Sequence, residues 1–140
     1  MTHDEMLELC RTWLDAFASR DLPRLTPLYA ETTELESPMA GHITGREAVV
    51  KASEGLFGAF PDISMTAEPP LIDGDRAAIV AEFSGTHVGP FMGMAPTDKH
   101  FRIRMVFLLD VLDGKIVRDR RVYDFTGLLV QLGVLRAKPV

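Results

Sequence analysis

Past Pro61 the hydrophobic period of this chain changes from three-to-four to two. That order of periods puts helices first and an antiparallel sheet after them. Alternating stretches predict strands at about 62–72, 76–88, 99–111 and 115–124. Two turn signals separate them, Asp73-Gly74-Asp75 and Asp113-Gly114, and Asp-Gly suits the tight hairpin turn whose central residues both need positive φ. Ahead of Pro61 the apolar spacing is helical. Thr2 or Asp4 caps a first helix whose stripe is Met6, Leu9, Cys10, Trp13, Leu14 and Phe17. Asp21-Leu22-Pro23 opens a short second helix ending near Tyr29 and Ala30, and 32–37 alternates like a strand that Pro38 ends. A third helix runs from Thr44 or Gly45 to about Phe60, with Val49, Val50, Leu56, Phe57 and Phe60 inward. A last one runs from about Thr126 to Leu132 and stops at Gly133. The expected fold class is α+β: a curved antiparallel sheet whose concave face is closed by N-terminal helices around a mostly apolar pocket.

At 140 residues the chain is read as one domain, 1–140. A formal net charge of -5 argues against nucleic acid as a partner. No apolar run approaches the ~20 residues that cross a bilayer, and the N-terminus has no signal-peptide pattern. No membrane partner is expected, and the expected location is cytoplasmic. The lone Cys10 excludes an internal disulfide, and its place on an amphipathic helix makes it a small core residue. The histidines are scattered, so no metal site is expected. There is neither a phosphate-binding loop nor a serine in a nucleophile elbow.

The Asp113-Gly114 turn also sets an expected register. With Leu112 opposite Lys115 and no interruption, Asp124 falls opposite Ile103, Val122 opposite Met105 and Arg120 opposite Phe107. Asp124 and Arg120 then share the apolar face with Ile103, Met105, Phe107 and Leu109. Arg102, Arg104, Asp119 and Arg121 fall outside. A carboxylate on an apolar wall loses hydration and becomes a stronger base, fit to take a proton from carbon beside a carbonyl. Asp124 equally precedes a helix, where an aspartate cap is common. His87 continues the apolar face of Ile79, Ala81 and Phe83, and Arg120 could hold a carboxylate or enolate oxygen. Asp124, His87 and Arg120 are therefore the candidate catalytic residues. Trp13, Phe17, Tyr29, Ser37, Phe57, Phe60, Phe83, Phe91, Met105 and Phe107 are the candidate lining of a pocket for a hydrophobic small molecule. Met92 and Met94 suit a flexible lip over it.

Several runs resemble a known family: Gly85-Thr-His-Val-Gly89, then Pro90 to Thr97, Asp113-Gly-Lys-Ile116, and Tyr123-Asp-Phe-Thr-Gly-Leu-Leu-Val-Gln-Leu-Gly133. They are similar to SnoaL-like polyketide cyclases, within the ketosteroid-isomerase and nuclear-transport-factor-two-like superfamily. The resemblance spans nearly the whole chain and implies a cone-shaped α+β barrel. It implies that Asp124 is the acid/base of an intramolecular aldol condensation needing no metal and no cofactor. It also implies a homodimer formed largely through the open sheet. Steroid isomerisation does not fit. In Leu35-Glu-Ser-Pro38, Ser37 stands where that enzyme's base would be, and Trp13 stands where its oxyanion tyrosine would be.

Two other functions fit the same fold. A non-catalytic small-molecule-binding domain would use the pocket and leave Asp124 as a cap. An epoxide hydrolase of the limonene type would need Arg102 or Arg104 within reach of Asp124.

Overall fold

The computed structural model describes residues 1–136. Helix α1 (His3–Ala18) begins at a capping box. The Thr2 hydroxyl accepts from the Glu5 N–H and the Glu5 carboxylate accepts from the Thr2 N–H. Of the expected inward stripe, Met6, Leu9, Cys10, Trp13 and Phe17 are buried and Leu14 is partly buried. Helix α2 is a single turn (Leu22–Leu25) capped by Asp21, followed by a 3-10 turn (Thr26–Leu28). Tyr29 thus starts a strand rather than ending a helix. Strand β1 (Tyr29–Ser37) turns back through β2 (Gly41–Thr44), a four-residue strand too short to betray itself by alternation. Helix α3 is Arg46–Ala59.

The expected strand at 62–72 is two, β3 (Ser64–Ala67) and β4 (Leu71–Asp73), parted at Pro69-Pro70, which lack the N–H groups a ladder needs. Both pair with β5 (Arg76–Thr86). Next come β6 (His100–Leu112), β7 (Lys115–Tyr123) and helix α4 (Phe125–Gln131). Asp113 and Gly114 both have positive φ (51° and 75°), as a two-residue hairpin turn requires. Gly133, with φ 77°, follows the end of α4.

The seven strands form one curved, unclosed sheet in the order β2-β1-β7-β6-β5-β3, with β4 also on β5. The β1–β7 pair is parallel, so the sheet is mixed. Its inner face packs on α1 and α3. Trp13 meets Phe107 edge-on at 4.8 Å between ring centroids, and Phe17 meets Phe57 at 5.3 Å. A second aromatic group forms around Phe60, with Phe91 at 5.0 Å and Phe101 at 4.9 Å.

One irregularity decides which residues face inward. The last hairpin starts in the expected register, Leu112 opposite Lys115 and Val111 opposite Ile116. Asp110 then pairs with Arg118, so Val117 is an extra residue, a β-bulge. Because side chains alternate with period two, a one-residue slip exchanges the faces of everything beyond it. Phe107 is opposite Arg121 and Met105 opposite Tyr123, not Arg120 and Val122. Asp119 is fully buried, and Val122 is 58% exposed. The inward placement expected for Arg120 and Asp124 is therefore wrong, as is the outward placement of Asp119 and Arg121.

Candidate functional site

The inner face of β7 carries Asp119 and Arg121, which the expected register put outside. Asp119 accepts two hydrogen bonds from Arg121, from Nε at 3.2 Å and from Nη2 at 2.9 Å. It accepts a third from the Tyr29 hydroxyl at 2.8 Å, and Tyr29 in turn accepts from Trp13 Nε1 at 2.9 Å. Asp119, Tyr29 and Trp13 are fully buried, and the Arg121 side chain keeps 8% exposure. The Arg121 guanidinium carbon lies 5.3 Å from the ring centroids of both Phe17 and Phe107, at cation–π distance. Four elements meet in this chain of contacts: α1 through Trp13 and Phe17, β1 through Tyr29, β6 through Phe107, and β7.

Burial, and then the charge of Asp119, hold the Tyr29 phenol far above its ordinary range. Burial works against the charge of Arg121, but Asp119 and Tyr29 beside it outweigh that and keep the guanidinium protonated. Tyr123, two residues further along the same face, is also raised by burial; Arg121, the Met39 backbone and the Ser37 hydroxyl act against the shift. The chain has two tyrosines, and both are raised. A raised folded-state value gives a contribution to stability that is complete below about pH 10, the ordinary tyrosine value, and is lost as pH climbs toward the folded value. In an alkaline titration followed by phenolate absorbance, the native protein should therefore lag behind the urea-unfolded chain. Coincident curves would contradict these environments.

Met39, Ala40, Leu56, Phe91 and Met92 line a cleft of about 260 Å³ between α3 and the 90–92 loop. The Ser37 hydroxyl accepts from the Ala40 N–H at 2.9 Å and so holds the turn that carries Met39 and Ala40. His87 is fully buried, as its place on the apolar face predicts. Its Nδ1 accepts from the Thr97 N–H at 3.3 Å and lies 3.1 Å from the Thr97 hydroxyl. A backbone N–H can only donate, so the proton sits on Nε2, which is buried without a partner among the described residues. Phe60 and Phe91 flank the ring, at 5.6 and 6.1 Å. His87 thus ties the 88–97 loop to β5.

Asp124 lies just beyond β7 and is exposed. Its carboxylate accepts from the Gly127 N–H at 2.8 Å and caps α4. A Cβ on Gly127 would collide with that carboxylate, so a glycine there is what admits the contact. Arg120 faces outward, 3.7 Å from Asp110, in a groove of about 390 Å³ that also involves Leu71, Ala78 and Leu108. It is not part of the interior. Arg102 and Arg104 are exposed on the outer face as expected, with Arg102 paired to Glu82 at 3.2 Å. The arginine–aspartate set that an epoxide hydrolase would build from them and Asp124 is not assembled.

All ten candidate lining residues are buried: Trp13, Phe17, Tyr29, Ser37, Phe57, Phe60, Phe83, Phe91, Met105 and Phe107. Phe91 alone of them borders the cleft, whereas Trp13, Phe17 and Phe107 pack on one another. Sequence reasoning missed Asp119 and Arg121. The signal that could have found them is Asp-x-Arg at i and i+2, which shares one face of a strand in any register.

The chain is similar to proteins of one family. At 52% identity over 50 residues it matches the nogalonic acid methyl ester cyclase of Streptomyces nogalater, an alignment spanning 35% of this chain and 37% of that protein. Among solved structures it is similar to AclR of Streptomyces galilaeus, a candidate hydroxylase, with TM-score 0.83, 29% identity, and 99% and 91% of the two chains covered. It is also similar to IdmH of Streptomyces antibioticus, a candidate polyketide cyclase, with TM-score 0.76, 28% identity, and 92% and 99% covered. With the SnoaL-like polyketide cyclase model matching residues 8–132, on a fold shared with these structures, the chain belongs to the SnoaL-like polyketide cyclase family.

Proposed function

We propose that this protein is a cofactor-independent cyclase acting on a hydrophobic, carbonyl-containing small molecule of the aromatic polyketide kind. Family membership carries the reading, together with the cyclase identity of the curated relative. In the reaction, the Asp124 carboxylate takes a proton from the carbon beside a carbonyl. The resulting enolate carbon attacks a ketone carbon of the same molecule and forms the C–C bond. The alkoxide then takes the proton back from Asp124, so nothing else is consumed. Asp124 follows Tyr123, which lies beside Ser37 and the Met39 backbone. His87 has an Nε2–H in reserve as a donor to a substrate oxygen. The oxygen-holding role foreseen for Arg120 has no support from its outward position.

The test is a cyclisation assay on a panel of aromatic polyketide methyl esters, with wild type beside Asp124→Asn. Asparagine caps a helix about as well as aspartate, so melting should be unchanged. Turnover should fall by roughly 10²–10⁴, the usual worth of a positioned acid/base group. Full turnover in Asp124→Asn would remove the assignment. Ligand binding without turnover in either protein would move the weight to a binding domain.

The same reading includes a homodimer packed through the outer faces of two sheets, where Val122 is exposed. Light scattering should then give twice the 15.5 kDa chain mass, and the chain mass itself would refute it. No helix among the described residues is long and apolar enough to cross a membrane. The buried, unpaired Cys10 suits the reducing cytoplasm.

A further inference from the structure

We infer that Arg121 receives an oxygen of the bound molecule, a carbonyl in the ground state and an enolate or phenolate once charge develops there. Its catalytic consequence rests on the cyclase reading; its binding consequence does not.

A buried ion pair is a poor device for stability, since well-packed apolar residues do as well or better in its place. The Asp119–Arg121 pair therefore calls for another use. Its hydrogen bonds leave donors over. A guanidinium has five N–H groups, and Asp119 takes two of them. Tyr29 already gives its proton to Asp119 and accepts from Trp13, so it has at most one lone pair left to offer. At least two N–H groups of a nearly buried cation remain for something else. No Arg121 nitrogen is among the buried atoms left without a partner, so the spare N–H groups lie at the 8% of the side chain still exposed, where an acceptor entering from outside can meet them.

The group is also held ready. Trp13 fixes Tyr29, Tyr29 and Arg121 fix Asp119, and Phe17 and Phe107 flank the guanidinium. A donor that need not reorganise stabilises developing negative charge far better than water does. A fused aromatic molecule carrying an oxygen fits such a group. The walls beside Arg121 are aromatic, which suits the same class.

The probe is alizarin, a hydroxyanthraquinone that changes colour when its phenol ionises. The titratable groups around Arg121 are Asp119, Tyr29 and Tyr123. Bound to wild type, alizarin should ionise at least tenfold more readily than free dye, a midpoint lowered by about one pH unit. In the paired variant Asp119→Asn with Arg121→Met, the midpoint should return to the free value or above it. Removing the negative charge of Asp119 alone would move it the other way, so the return can come only from the lost cation. Arg121→Lys, which keeps the charge but not the planar fork, should fall between, and serves if the paired variant does not fold. With turnover, kcat should drop about a hundredfold in the folded paired variant and KM little. Failure of wild type to bind alizarin, or an unchanged midpoint in a folded variant, overturns the inference. Wild-type turnover kept within threefold in the paired variant would also overturn it while leaving the cyclase reading intact. A shifted midpoint with no turnover of any ester would sink the cyclase reading and leave Arg121 as the anion-receiving group.

Discussion

Asp119→Ala is expected to lower the unfolding free energy by about 3–5 kcal/mol, because it strands a buried guanidinium without its counter-charge. The sizes of the neighbouring effects decide this. An exposed ion pair such as Arg24–Asp15, 2.6 Å apart with both side chains about half exposed or more, contributes little, because water screens it. Asp119 is instead fully buried, accepts three hydrogen bonds, and faces a cation with 8% exposure. Water cannot replace what the carboxylate supplies. Urea unfolding should show a lower midpoint with little change in slope. Adding Arg121→Met should recover most of the loss, since the uncompensated charge goes with it. A single variant within about 1 kcal/mol of wild type would mean that solvent reaches Arg121 freely.

Trp13→Ala should cost a similar amount, about 3–5 kcal/mol, by a different route. Its ring packs on Phe17 at 5.3 Å and on Phe107 at 4.8 Å, and its N–H supports Tyr29. Trp13→Phe should restore most of the packing and leave about 1 kcal/mol of loss for the missing hydrogen bond. A double-mutant cycle of Trp13→Phe with Tyr29→Phe isolates that bond, and coupling near zero would refute it. Trp13 thus acts less as a wall for a ligand than as the outermost support of Arg121, through Tyr29 and Asp119.

Much of the fold could be read from local signals. The α1 stripe, the capping residues Thr2, Asp21 and Asp124, and the Gly133 stop each report the conformation of the few residues around them. Asp113-Gly114 states its own turn through positive φ. The alternation of β5 places His87 inside, because one apolar face runs unbroken from Ala77 to Phe83. The family could also be read, since its runs are contiguous in the chain. Two elements defeated local reading, β2 by its shortness and the break at Pro69-Pro70 by the alternation on either side of it.

The interior charges belong to a different class. Arg118 to Arg121 offers no apolar alternation, so nothing within that stretch says which side chains turn inward. The bulge at Val117 settles it, in a strand that pairs with β6 on one side and with β1 on the other. The parallel β1 ladder puts Leu35 opposite Asp119, partners more than eighty residues apart in sequence. Sequence alone thus determined the order of helices before sheet, the hairpin turn, the caps of α1 and α4 and the family. Only the tertiary structure decided that Arg121 and Asp119, rather than Arg120, lie inside, because a one-residue slip between strands reverses every side chain beyond it and no local propensity records it.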